Sequence, residues 1–373
     1  TPVVEGDLLL IAFVTAGWGD QAPPRQRVFA FDKRTGEVVW VATPGGFPKD
    51  MNTQSTPVVA TIAGRRTVVN GNADGTIYGL DLRDGSTLWS FRLSKRGINS
   101  TPVVNGDVVH VSHSEENVDT ADMGRMVAFR ATGSGDITGS AEVWRINEFA
   151  AGFPSPVLHE GTLYQVDNSA NLFAIDAATG AVRWEHSVGT VGKGSAVWAD
   201  GKLYVTEVNG HFGILKPSAD GCVTLDMEEL EVAGGRYAEV YGSTAVAYGR
   251  VYFTTEGGLY AIAKDGRYDG PEAGKAAAEG KRSKPGKGDA SAIQAVPADI
   301  AIAPGESISL RVRAVGANAV PVTPPKGATW ALDGLKGEIT KDGTFTPDAE
   351  VPFQAGTITL TAGGLTASSR VRV

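Results

Sequence analysis

The sequence predicts an all-β fold, a β-propeller of four-stranded blades followed by a small β-sandwich. Three observations carry this. The first is a repeated phrase, Ala-x-Asp-x-x-Thr-Gly-x-x-x-Trp, complete at Ala30, Asp32, Thr35, Gly36 and Trp40 and again at Ala174, Asp176, Thr179, Gly180 and Trp184. A near copy runs Gly79, Asp81, Asp84, Gly85, Trp89, and a stretched one runs from Ala128 to Trp144 with Arg130 in the Asp place. The second is a Ser/Thr-Pro-Val-Val phrase at Thr1, Thr56, Thr101 and Ser155, worn down at Ser195 and Ser243. Its intervals of 55, 45, 54, 40 and 48 residues fall in the range of one propeller blade. The third is composition, with 48 Gly and 19 Pro supplying turns and 42% hydrophobic residues supplying a core.

Each unit divides into four short apolar runs, here called A to D, separated by turn chemistry. In the third unit these are Thr101–Val104, Val108–Ser112, Arg125–Phe129 and Glu142–Ile146. Gly106-Asp107, Glu160-Gly161 and Asp200-Gly201 form A–B hairpins, and Thr35-Gly36, Asp84-Gly85 and Thr179-Gly180 form C–D turns. Trp40, Trp89 and Trp184 on strand D are large enough to fill the wedge between neighbouring blades. The sixth unit holds Ala245–Ala247, Arg250–Thr254 and Gly258–Ala263 and lacks a strand D with Trp. Six repeats are therefore visible over residues 1–264, and the expectation is a parent propeller of seven or eight blades. The chain also opens inside a strand pattern (Val3, Val4, Leu8 to Phe13), so upstream residues are expected.

Residues 265–292 change character, being rich in Ala, Gly, Lys and Glu, and read as a flexible linker. The cluster Lys281, Arg282, Lys284 and Lys287 reads as a solubilising tether. Alternation returns over 293–373 through Ile300 and Ile302, then Ile308, Leu310 and Val312, and later Ile358 and Leu360. Trp330 is expected on a central strand and a turn at Lys341-Asp342. This is the pattern of a small sandwich.

A net charge of -8 gives no basic field for nucleic acid. The single cysteine, Cys222, excludes an internal disulfide. No run of 18 apolar residues spans a membrane, and no signal peptide is visible.

Antiparallel order places the A–B and C–D turns at one end of the propeller and the B–C and D–A connections at the other. The irregular chemistry gathers in the second set. The D–A loops offer Lys49, Asn52, Gln54, Arg96, Asn99, Lys193, Arg236 and Tyr237, donors suited to a carboxylate, a phosphate or an acidic segment of a partner. The first B–C loop carries Trp18 between two glycines, a candidate interface anchor or sugar-stacking surface. The third B–C loop carries Glu115, Glu116, Asp119 and Asp122, oxygen donors that form the one metal candidate, for calcium. His110 and His113, three apart on a strand, face opposite sides and make no zinc pair. No paired nucleophile and base is present, so no catalytic residue is assigned.

The eleven-position phrase resembles the repeat of the PQQ-binding-like β-propellers, the quinoprotein-like superfamily, over residues 1–264. The tail, with Val296-Pro297, Pro304-Gly305-Glu306 and Gly343-Thr344-Phe345-Thr346-Pro347, is similar to bacterial Ig-like domains. One cysteine cannot supply the vicinal pair that many quinone-dependent dehydrogenases carry beneath PQQ, and no calcium set of those enzymes can be placed here. The resemblance thus points to the branch without cofactor, which includes the propeller lipoprotein of outer-membrane barrel assembly and acts by binding proteins. It implies an extracytoplasmic scaffold, periplasmic, outer-membrane-associated or at the cell surface, engaging a protein or a surface polysaccharide through the B–C/D–A face. No cofactor is expected. Two alternatives stay open: a carbohydrate-binding surface protein using Trp18, and a fragment of a PQQ- and calcium-dependent dehydrogenase.

Overall fold

Alternating apolar runs cut by left-handed glycines leave the chain little choice but strands, and every named element is one. The computed structural model describes residues 1–15, 24–49, 53–232, 234–264, 270 and 285–373. Blade 1 is β1 (Val3–Glu5), β2 (Leu8–Thr15), β3 (Arg25–Asp32) and β4 (Val38–Ala42). Blade 2 is β5 (Val58–Ile62), β6 (Arg65–Gly71), β7 (Thr76–Asp81) and β8 (Thr87–Arg92). Blade 3 is β9 (Val103–Asn105), β10 (Val108–Glu116), β11 (Met123–Arg130) and, after the short β12 (Gly135–Asp136), β13 (Glu142–Asn147). Blade 4 is β14 (Val157–His159), β15 (Thr162–Val166), β16 (Asn171–Asp176) and β17 (Val182–Ser187). Blade 5 is β18 (Val197–Ala199), β19 (Lys202–Thr206), β20 (His211–Pro217) and β21 (Cys222–Glu229). A hairpin of β22 (Glu231–Val232) and β23 (Arg236–Tyr237) follows. Blade 6 then has three strands, β24 (Ala245–Ala247), β25 (Arg250–Thr255) and β26 (Gly258–Ile262).

The repeated phrase is the adhesive between blades. Each strand-D Trp lies opposite the small first residue of the phrase, as in Ala30↔Trp40 and Ala174↔Trp184. Where that residue is Gly79, a Cβ would stand 2.1 Å from the Trp89 indole, which explains the departure from Ala. The indole N–H of Trp40 donates to Leu82 O of the next blade (3.1 Å), and Trp144 does the same to Ala177 O (3.0 Å). The phrase's Asp folds the turn itself: Asp176 Oδ1 accepts from the backbone of Ala178 and Thr179, both at 3.0 Å. Gly85 and Gly180, at φ 76° and 75°, sit beneath Trp40 and Trp144, where a Cβ would approach to 2.7 Å. A separate buried cluster fills each of the five wedges from blades 1 and 2 through blades 5 and 6.

The stretched third repeat resolves into a strand exchange. Its extra residues form β12, which leaves blade 3 and pairs parallel with β8, making blade 2 five-stranded.

Most of the expected linker (265–269 and 271–284) lies outside the described residues. Beyond it are β27 (Ala292–Val296), β28 (Asp299–Ala301), β29 (Ile308–Ser309), β30 (Arg311–Val315), β31 (Pro321–Val322), β32 (Thr329–Asp333), β33 (Gly337–Ile339), β34 (Thr344–Pro347), β35 (Ala355–Ala362) and β36 (Leu365–Arg372). They form sheets ordered β27-β30-β31, β28-β36-β35-β32 and β29-β34-β33 around one core. Trp330 corrects the sequence expectation: β32 ends its sheet rather than running through the middle. Its indole is placed by packing over Gly343, where a Cβ would meet it at 2.8 Å.

This second unit is bolted to blades 1 and 2. Val296 is fully buried in the core shared by blades 1 and 2. Arg311 pairs with Asp32 (3.3 Å) and Glu37 (2.8 Å), Gln294 Nε2 donates to Arg83 O, and Ala298 N donates to Val38 O (2.7 Å).

Candidate interaction face

The Ser/Thr-Pro phrase ties neighbouring blades together through its hydroxyls. Thr101 Oγ1 accepts from the backbone N–H of Thr56 (3.0 Å), and Ser155 Oγ from that of Thr101 (2.8 Å). Ser195 Oγ accepts from Ser155 N, and Ser243 Oγ from Ser195 N, each at 2.8 Å. From Thr101 to Ser243 each hydroxyl of the phrase therefore clasps its equivalent one blade earlier. The hydroxyl satisfies a main-chain donor that strand A, lying innermost, could not pair within its own sheet.

Two positions before each hydroxyl, the D–A connections present Gln54, Asn99, Phe153, Lys193 and Tyr241 at one end of the ring. Gln54 N donates to Asn99 Oδ1 (3.1 Å), and the Lys193 ammonium stands 4.1 Å from the centre of the Phe153 ring. The candidate residues at this end thus interact in pairs across blades rather than as independent donors. Arg96 holds Glu116 at 3.2 Å, and Arg236, on the β22–β23 hairpin, holds Glu256 at 2.8 Å. Lys49 is exposed and its backbone N–H donates to Ala73 O (2.7 Å). Trp18 and Asn52 lie outside the described residues.

The acidic loop of blade 3 holds the four calcium candidates, and two of them are paired with arginines. Asp119 pairs with Arg125 (2.7 Å) and Arg145 (2.6 Å), and these two guanidiniums hold its carboxyl down at about 2 despite some burial. Glu116 turns to Arg96, and Asn117 Nδ2 donates to Asp122 O (2.8 Å). Glu115 N donates to His113 Nδ1 (3.2 Å). Among the described residues no group of three or more His, Cys, Asp or Glu is placed to hold a metal ion. Two of the four carboxylates, Glu116 and Asp119, are engaged by arginines from outside the loop, which a reading of the loop alone could not reveal. His110 and His113 do face opposite sides: His110 lies 5.6 Å from the Trp144 ring, and burial pushes both imidazoles down to about 4.

Two features escaped the sequence reading. Glu207 is buried in the blade 5 B–C turn and accepts from the backbone N–H groups of Thr190 (3.1 Å), Val191 (2.7 Å) and Asn209 (2.8 Å), with His211 Nδ1 at 3.0 Å. These donors hold its carboxyl below the usual range although burial opposes them. A carboxylate that organises its own loop has no local sequence signature. The second is aromatic exposure at Phe47 and Tyr241, which join the sequence candidate Tyr237. Phe47, Tyr237 and Tyr241 are 57%, 50% and 58% exposed on D–A connections, with Arg25 lying 6.0 Å over the Phe47 ring. Their signal was available: each is a large ring in a polar, Gly-rich connection, where no core awaits it.

The comparisons with known proteins agree with this architecture. The profile of the family described as outer membrane protein assembly factor BamB matches residues 1–139 and again 135–284. The outer membrane protein assembly factor BamB of Yersinia pestis is 25% identical over 202 residues, 53% of this chain and 47% of that protein. That of Moranella endobia (strain PCIT) is 25% identical over 171 residues, 44% of this chain and 40% of that protein. The chain thus spans under half the length of these curated relatives. The crystal structure of BamB from Moraxella catarrhalis superposes with a TM-score of 0.50 at 17% identity, covering 69% of this chain and 70% of that one. With two profile matches over most of its length, a PQQ-like repeat and this blade architecture, the chain belongs to the family of outer membrane protein assembly factor BamB.

Proposed function

We propose that this chain is a non-catalytic binding propeller that engages a protein partner through its D–A/B–C face, outside the cytoplasm, in the assembly of outer membrane proteins. The observation that carries it is the set of exposed rings Phe47, Tyr237 and Tyr241 on one end of the molecule, interleaved with Arg96, Lys193 and Arg236. Rigid aromatic side chains beside arginines are what protein interfaces concentrate at their centres. The clasped ring beneath holds the connections in place, so little ordering entropy is lost when a partner docks. The relatives' name supports the place of action, and among the described residues no helix is long and apolar enough to cross a membrane. No arrangement among the described residues favours the saccharide or the quinone alternative.

The test is retention of a partner from cell envelopes. Phe47→Ala, Tyr237→Ala and Tyr241→Ala combined should abolish it, while Tyr248→Ala, in the A–B turn at the opposite end, should leave it intact. Retention lost with Tyr248→Ala and kept in the triple variant would overturn the face.

A further inference from the structure

The face of blade 1 that turns away from blade 2 carries a buried arginine without a partner. We propose that this residue, Arg27, forms a binding site for a phosphate group together with Arg370 and Arg372 of the second unit. Alternation along β3 fixes which side chains share the face. Gln26, Val28 and Ala30 turn to blade 2: Gln26 Nε2 donates to Gly71 O (3.2 Å), and Val28 and Ala30 lie in the core shared with that blade. Arg25, Arg27, Phe29 and Phe31 therefore turn the other way. On that side Phe13 stacks on Phe29 and Phe29 on Phe31, with ring centres 5.0 and 5.7 Å apart. Arg27 is the cross-strand partner of Phe13, which is 41% exposed.

Arg27 is only 7% exposed, yet its guanidinium makes no hydrogen bond or ion pair among the described residues. Arg370 comes to the same end of β3 from the second unit. It lines the cleft between the units beside Val41 and Thr43. Val41 pairs with Phe29 and Ala42 with Val28, so the register carried one step further sets Arg27 abreast of Thr43. Asp299 holds Arg370 (2.6 Å) and Arg372 (3.0 Å) side by side, and each of these guanidiniums keeps donors to spare. Arg25 donates to Pro24 O (3.0 Å) and adds its charge from the neighbouring position on β3. Burial and the positive charges of Arg370, Arg25 and Arg372 push the Arg27 guanidinium below its ordinary value, and Asp299 alone opposes them.

Four arginines against one aspartate leave an excess of three positive charges at this junction. A buried cation without a counter-charge is costly, and an anion relieves the cost. One carboxylate is too little charge for such a cluster. A phosphate monoester carries about −1.5 to −2 near pH 7, and its oxygens match the planar forks of several guanidiniums at once. The phenylalanine stack beside Arg27 offers apolar surface to whatever body bears the phosphate. The site is independent of a protein partner on the D–A face.

The experiment uses the full chain in phosphate-free buffer. Inorganic phosphate and acetate are titrated calorimetrically, and flotation is measured on phosphatidylcholine vesicles with and without phosphatidic acid. The wild-type chain should bind inorganic phosphate, or float only with phosphatidic acid, or both; heat without flotation assigns a soluble phosphate, and flotation without heat a lipid headgroup. Arg27→Gln should weaken that binding about tenfold or more, and Arg372→Gln, at a half-exposed position, about threefold or more. Absence of binding to both phosphate probes would overturn the proposal. So would acetate binding as tightly as phosphate, or undiminished binding by the folded variants. Arg372→Gln decides the matter if Arg27→Gln does not fold.

Discussion

Gly161 and Gly180 offer a controlled test of how the repeated phrase holds blades together. Both have φ of 75°, so alanine at either position carries the same left-handed backbone cost, roughly 1–2 kcal/mol. They differ in what a Cβ meets. At Gly161 nothing lies within 4 Å, whereas at Gly180 the Cβ would stand 2.7 Å from the indole of Trp144 on the preceding blade. That ring is buried and fixed by its N–H bond to Ala177 O (3.0 Å), so it cannot retreat without losing the bond. Overpacking of this kind costs about 1–3 kcal/mol, and Gly180→Ala should therefore exceed Gly161→Ala by that amount. Urea titration of both variants reads the difference in midpoint at unchanged slope. In a Trp144→Ala background the two substitutions should cost the same. Equal costs in the wild-type background would refute the idea that the turn glycine exists to seat the neighbouring blade's tryptophan.

Other outcomes follow from the same structure. Ser155→Ala removes the acceptor for Thr101 N and should cost about 1–2 kcal/mol in thermal unfolding, whereas Ser155→Thr, which keeps a hydroxyl, should cost less. His110 is fully buried, and among the described residues neither ring nitrogen has a hydrogen-bond partner. Its folded pKa of about 4 lies below the ordinary 6.5, so the unfolded chain takes up a proton that the folded one resists. Stability is complete above pH 6.5 and falls as pH drops toward 4, by up to about 3 kcal/mol for this imidazole. His110→Leu should flatten that slope and raise stability at neutral pH, as followed by denaturation at stepped pH. Glu207 responds to pH in a lower window than His110. Its depressed carboxyl stabilises the fold above the ordinary carboxylate range and loses that contribution on acidification, and Glu207→Gln should cost about 2–3 kcal/mol at neutral pH and little in acid.

Much of this fold is written locally. Blade spacing, turn glycines and the strand-D tryptophans are properties of single repeats, and the three strands of blade 6 fall within one residue of their sequence reading. What could not be read involves partners far away in the chain. The Ser/Thr phrase was visible as a repeat, but its hydroxyl acts on a backbone N–H 40 to 54 residues distant. Asp119 is a carboxylate of one loop in the sequence, and its partners Arg125 and Arg145 come from neighbouring strands. Arg96, Lys193 and Arg236 are legible in the sequence as cations of the D–A connections, but not their partners Glu116, Phe153 and Glu256. The docking of the second unit on blade 1 joins residues as far apart as Asp32 and Arg311, and no spacing rule reaches across that distance.

The central claim is that the D–A/B–C end of the propeller meets a protein partner. It is tested most directly by placing a photo-crosslinking residue singly at Phe47, Tyr241 and, at the opposite end, Tyr248, in cells that make the full chain. The account predicts a discrete adduct with one envelope protein from Phe47 and Tyr241 and none from Tyr248. Adducts from Tyr248 alone would contradict it.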